Sequence, residues 1–317
     1  MYVYVVDFSL SRSEIRLLAR LVLGPITVKR AGEELKWPAS HAYTTAKKLV
    51  EKGFLEQPKR HQPLRVVLSC QAFAFQKLLH QHGAKTLEDL LSGATLEILL
   101  PLTLKDRFMD AKNIHEWTGI SLPAIYKHLN PLQELGWVKK TTVYGAKDNA
   151  AYGLGNPDLL ELVEGLQTWF LTKILWQRNA GSATCLANKI LFYSNTAQTS
   201  APTGLNALRR QGYVDYLGET EEYFETIGKK RKIALTLEDY VIHALVLSDV
   251  YAATQKNATY VAWLLAGTSR SLPGFSRKKP LKINWRLLRE KAVQYGVGQK
   301  LEGIVSAIKI LEGENKQ

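Results

Sequence analysis

The chain has 317 residues, 46% of them apolar, and a formal net charge of +13, enough for two or three separate cores and a balance that points toward a polyanionic partner. No segment approaches the roughly 20 apolar residues of a membrane span, and the N-terminus is strand-like rather than a charged and apolar signal, which predicts a cytoplasmic protein without membrane contact. Cys70 and Cys185 are too few for a disulfide framework and too isolated for a structural zinc site.

After a strand-like start over 2–7, Ser11 or Ser13 can cap a helix with Ile15, Leu18, Ala19 and Val22 at helical spacing, and Gly24-Pro25 ends it. Thr27 opens a second helix with Ala31 and Leu35 inward, stopping near Trp37-Pro38. A third helix over 39–52 buries Ala42, Ala46, Leu49 and Val50 on a 3.6 period. Its opposite face shows Ser40, His41, Thr44, Lys47 and Lys48, whose hydroxyl, imidazole and amine groups can reach base edges or phosphates in a major groove. Gly53 ends the helix, because only glycine takes the left-handed conformation without steric cost. Strands over 54–57 and 64–68 then flank Pro58-Lys59-Arg60-His61-Gln62-Pro63. Lys59, Arg60 and His61 in a loop stiffened by two prolines, with Arg65 on the returning strand, suit contacts to a sugar-phosphate backbone or in a minor groove.

The same order returns 83 positions later without a gap: Lys29 falls on Lys112, Tyr43 on Tyr126, Leu49 on Leu132, Glu51 on Glu134, Gly53 on Gly136 and Phe54 on Trp137. Between the copies, 70–82 predicts a connecting helix and Thr86-x-Glu88-Asp89 the capping-box-like start of another. Residues 94–103 supply the first helix of the second copy and 111–117 the second. Ser121 caps the third, with Ile125, Leu129 and Leu132 inward and Lys127, His128 and Asn130 outward. Its hairpin carries Lys139, Lys140 and Lys147. Pro131 stands where the first copy has Lys48, which removes a cation and can kink the helix. Residues 1–69 hold 12 Lys+Arg against 6 Asp+Glu, whereas 70–155 hold 9 against 8, so the first copy is the basic one.

The phrase Ile114-His-Glu-Trp-Thr-Gly119-Ile-Ser121-x-x-x-Ile125-Tyr126-x-x-Leu129-x-x-Leu132-x-x-x-Gly136-Trp137-Val138 resembles the winged helix-turn-helix transcription regulators of the MarR/ArsR-like kind. The resemblance covers about half the chain. It implies that the second and third helices form the turn motif, that the third reads DNA, and that the hairpin is a wing. It also implies dimerisation through a helix outside the winged module.

In the C-terminal half, Asn156-Pro157-Asp158 begins a long helix striped by Leu159, Leu162, Val163, Leu166, Phe170 and Ile174, a pattern of core or of a dimer seam. Residues 194–203 read as a polar loop, 205–212 as a helix and 213–227 as a hairpin. Further helices are expected from Thr236, over 260–266, over 284–295 and over 301–311. The phrases Leu237-Glu238-Asp239-Tyr-Val-Ile-His243-Ala-Leu and Ile283-Asn-Trp285-x-x-Leu288-x-x-x-Ala292-x-x-Tyr-Gly296 resemble nucleotidyltransferase-like domains and the abortive-infection regulators that accompany them. That activity needs a Gly-Ser turn followed by two acids one apart to hold magnesium. Gly181-Ser182 has no acid over 189–196 after it, and Glu219-x-Glu221 has no such turn before it, so a domain of this kind is expected to be catalytically silent. Asp239 and His243 lie one helical turn apart without a visible third metal ligand. Basic runs at 229–232 and 277–279 suit extra phosphate contacts or solvated turns.

The sequence therefore predicts a mainly α protein with small β-hairpins (α+β): winged helix-turn-helix modules over 1–83 and 84–155, and a mostly helical regulatory or assembly domain over 156–317. The expected function is a nucleoid-associated, double-stranded DNA-binding transcription regulator, a homodimer, with neither catalytic residues, metal nor cofactor. A ligand or protein partner would act through the C-terminal domain. A plasmid or viral replication initiator and a transcription-complex interaction protein are the alternatives.

Overall fold

A computed structural model of the chain describes residues 8–56, 62–104, 108–142, 150–186, 189–196, 200–217, 221–226, 235–250, 255–267 and 272–314, with residues 310–314 described by backbone alone. These form an α+β protein whose sheets are small and antiparallel. Two compact units divide between Thr172 and Lys173.

The first unit opens with α1 (Arg12–Val22), fixed by a capping box in which the Ser11 hydroxyl accepts from Glu14 N and the Glu14 carboxylate accepts from Ser11 N at 2.7 Å. Thr27 caps α2 (Val28–Leu35), which ends at Lys36 in the left-handed region (φ 57°). Next comes α3 (Ala39–Glu51), burying Ala42, Thr45, Ala46 and Leu49. Gly53 (φ 72°) turns the chain, and Phe54 N bonds back to Leu49 O at 2.9 Å. Three extended segments then pair by backbone: Leu64 N to Ile26 O at 2.8 Å, Glu56 N to Arg65 O at 3.0 Å and Val67 N to Phe54 O at 2.9 Å.

Two helices occupy the region where two were expected, run together as α4 (Cys70–Leu91) and separated by a non-helical joint at Gly83 (φ 78°, ψ 160°). The joint lies at this glycine because its lack of a Cβ permits that backbone, and Thr86 is simply helical. The second copy follows as α5 (Thr95–Leu99) with a 3-10 turn over Leu100–Thr103, β1 (Met109–Asp110), α6 (Ala111–Thr118), α7 (Leu122–Glu134), β2 (Val138–Thr142) and β3 (Ala150–Leu154), the strands ordered β1-β3-β2. Its boundaries reproduce the first copy at the same offset of 83. α2 maps onto α6 and α3 onto α7 at both ends. The caps Thr27 and Asp110, the left-handed Lys36 and Gly119, and the left-handed Gly53 and Gly136 coincide. Even the buried Glu14 has a buried counterpart in Glu97. Pro131 lies inside α7 without ending it.

The last element of the first unit is α8 (Pro157–Gln177), which belongs to it through Thr172. Leu159, Leu162, Val163, Leu166 and Phe170 are buried within the chain, and the Phe170 ring meets Phe8 at 5.5 Å. The apolar stripe is therefore core, which corrects the expectation of a dimer seam along it. Close approach is made possible by Gly165, where a Cβ would come within 2.7 Å of Gln71 N on α4.

The second unit contains β4 (Ala180–Leu186), β5 (Lys189–Ser194), β6 (Ala201–Pro202), α9 (Gly204–Arg210), β7 (Val214–Tyr216), β8 (Glu221–Thr226), α10 (Leu237–Leu247), α11 (Asn257–Ala266), β9 (Phe275–Arg277), α12 (Trp285–Gln294) and α13 (Gly298–Glu314). Its main sheet runs β4-β5-β8-β6, and β7 pairs with β9. This corrects two expectations. The β4-β5 pair was not anticipated, and 213–227 is not a hairpin, because its two strands enter different sheets. Long-range pairing leaves no local turn signal for β7 and β8, whereas β4 and β5 are consecutive in the chain with Leu186 opposite Lys189.

Candidate nucleic-acid interface

The outward face of α3 carries Ser40, His41, Thr44, Lys47 and Lys48, all exposed. Two of them are engaged locally. The Thr44 hydroxyl donates back to Ser40 O at 2.9 Å, and His41 Nε2 lies 3.1 Å from Ser13 Oγ with its ring edge-on to Trp37. The lysines behave differently from the cations of the neighbouring helices. Arg20 and Arg30 share the Glu34 carboxylate, which these hydrogen bonds hold below the usual glutamate range, and Lys29 approaches Glu33 at 3.9 Å. Among the described residues, Lys47, Lys48 and the exposed Arg65 form no ion pair. Their charge is therefore available to an external anion. The expected wing residues Lys59, Arg60 and His61 lie outside the described residues, as do Lys147 and the basic run over 229–232.

On α7, Lys127 and Asn130 are exposed as expected. His128 is not an outward residue. It is half-buried, its Nδ1 lies 2.8 Å from Thr95 Oγ1, and that hydroxyl donates to Leu90 O at 2.7 Å. The Nδ1 atom therefore carries the proton, and burial followed by the Lys127 charge holds the ring's pKa below the ordinary histidine value. This arrangement ties α7 to α5 and corrects the grouping of His128 with the groove-facing residues. Lys139 and Lys140 are both exposed on β2, but neighbouring strand positions point to opposite faces, so one surface receives only one of them.

Sequence reasoning passed over the two tyrosines on these faces. Tyr43 and Tyr126 are exposed large side chains at equivalent positions of α3 and α7. The signal was present in the alignment of the copies, where both had been matched without being given a role.

The C-terminal candidates separate. Asp239 accepts from Lys291 Nζ at 2.6 Å and from Thr236, whereas His243 bonds Thr203 Oγ1 at 2.6 Å and Tyr295 OH at 3.1 Å. They do not converge, and no cluster of three potential metal ligands occurs among the described residues. Of the basic run, Lys278 pairs with Asp215 at 2.8 Å, and Lys279 donates to Gln211 O while lying over the Tyr213 ring. These two cations are already engaged.

Among the described residues no helix is long and apolar enough to cross a membrane. Comparison with protein-family models gave no match, and comparison with curated proteins found no relative.

Proposed function

We propose that the chain is a double-stranded DNA-binding transcription regulator whose two repeats act as winged helix-turn-helix modules, the first making the principal contact. The observation that supports this most directly is the face of α3: Lys47 and Lys48 stand exposed without an ion-pair partner among the described residues, while cations on the adjoining helices are neutralised by carboxylates. In this reading Lys36 and Arg65, both exposed, flank that face, one in the turn before α3 and the other on the strand after the wing. The second repeat binds more weakly, because Ala124 and the prolines Pro123 and Pro131 occupy positions that hold His41, Ser40 and Lys48 in the first. The second unit serves regulation or assembly. Cations without carboxylate partners attract the phosphate backbone, and the residues between them reach base edges.

The test is fluorescence anisotropy of the full chain with a labelled duplex of mixed sequence, followed by genome-wide mapping of bound sites. Binding that weakens steeply with salt and maps to promoters supports the proposal. Occupancy at the repeated elements of a replication origin would replace it with an initiator role, and absence of duplex binding would overturn it.

A further inference from the structure

The third helices of the two repeats retain one exposed side chain while the rest of their outward faces differ. Where α3 holds Ser40, His41, Thr44, Lys47 and Lys48, α7 holds Pro123, Ala124, Lys127, Asn130 and Pro131. Of the exposed residues on α3, only Tyr43 recurs, as Tyr126. These two are 52% and 44% exposed. Among the described residues neither ring stacks on another aromatic and neither hydroxyl forms a hydrogen bond; burial, followed by the nearby Tyr126 phenol, raises the pKa of Tyr152 on β3. Each is about half-exposed, an amphipathic group with an apolar ring and a polar hydroxyl on a short, stiff stem.

The geometry points to Tyr43 and Tyr126 as a matched pair of backbone anchors, each donating its phenolic O–H to a phosphate oxygen of duplex DNA. This inference rests on the DNA-binding reading above. The choice of phosphate over base follows from the repeat itself. Two helices with different outward faces meet different base edges, whereas the phosphate oxygens are the same along every duplex, so an unchanged donor suits the unchanged acceptor. An O–H bond to an anionic oxygen is charge-assisted, which gives a neutral side chain useful strength at a polyanion. The other polar residue that recurs on these helices, Glu51 as Glu134, has the wrong sign for such a contact. The anchors set both helices at the same depth in their grooves, and the side chains that differ between the helices read the sequence.

The full chain is tested by anisotropy against three labelled duplexes: mixed-sequence, A·T-rich and G·C-rich. Y43F/Y126F keeps both rings and removes both hydroxyls, and circular dichroism verifies its fold. We expect affinity to fall by about tenfold per hydroxyl, the loss expected for a hydrogen bond to a charged group. The factor should be the same on all three duplexes, and the dependence of log affinity on log salt should be unchanged because no cation has been removed. Y43A/Y126A should lose little more. Unchanged affinity of Y43F/Y126F overturns the inference, as does a loss that differs between duplexes, which would make the hydroxyls base readers. Wild-type protein that binds none of the duplexes overturns the DNA-binding reading together with this one.

Discussion

Lys52 Nζ and Glu14 Oε1 lie 2.5 Å apart inside the first repeat, with 4% and 2% of their side chains exposed. The same lysine donates to Ser9 O, and the same glutamate closes the capping box of α1 through Ser11 N. One ion pair thus ties the end of α3 to the start of α1. Breaking it should be costly, because the remaining charge is left buried and uncompensated. Glu14→Ala is expected to destabilise the folded chain by roughly 3 to 5 kcal/mol. The paired change Glu14→Leu with Lys52→Met should recover much of that. Urea denaturation of the three proteins checks it, and a single variant as stable as the wild type would show that the pair carries little.

The left-handed glycines that end α3 and α7 should respond differently to the same substitution. At Gly53 a Cβ would stand 2.4 Å from the Trp169 ring, whose Nε1 donates to Glu51 O at 3.1 Å; at Gly136 nothing lies within 4 Å. Gly136→Ala should therefore cost only the backbone penalty of about 1 to 2 kcal/mol. Gly53→Ala adds overpacking of about 1 to 3 kcal/mol. Melting curves of the two variants give the comparison, and equal losses would mean that Trp169 moves aside freely.

Two buried groups in the second unit should oppose each other as pH changes. Burial raises Glu222 to about 7 from 4.5, against hydrogen bonds from Asn257 and from Leu205 N. Burial lowers His243 to about 3 from 6.5, with Asp239 opposing the shift and Lys189 and Lys291 assisting it. Between about pH 4.5 and 6.5, folded Glu222 holds a proton that the unfolded chain has lost, so its contribution falls as pH rises. Over the same window folded His243 lacks a proton that the unfolded chain has bound, so its contribution rises. The slopes cancel. Glu222→Gln should unmask a stability that increases from pH 4.5 to 6.5, and the buried Asn257, whose Oδ1 has no partner among the described residues, can turn to accept the new amide. Denaturation across this range checks the prediction, and an unchanged pH profile would mean that Glu222 is ionised in the fold.

Replacing Lys47 and Lys48 together by alanine should weaken duplex binding by on the order of 1 to 3 kcal/mol in total if at least one of them meets a base edge. Both side chains are exposed, so the double variant should keep its stability. A folded double variant with wild-type affinity would remove α3 from the interface.

Local signals in the sequence determined most of the first unit. The N-caps Ser11 and Thr27, the turn glycines Gly53 and Gly136, and the 3.6-residue apolar periods of α3 and α7 are decided by neighbours a few positions away. The outward residues Lys47, Lys48, Lys127 and Asn130 were legible for the same reason, since a helix with a known inner face has a known outer one. What the tertiary structure decided involves partners far apart in the chain. Lys52 closes the third helix in sequence, and only the fold brings it against Glu14 on another helix. His128 turned toward Thr95, and the stripe of α8 became core because Gly165 and Phe170 meet Gln71 and Phe8. In the second unit β7 pairs with β9 across sixty residues, and β5 joins β8 rather than a neighbour in sequence alone. A strand's partner is set by which apolar faces can be buried together, and periodicity along one segment states only that a face exists.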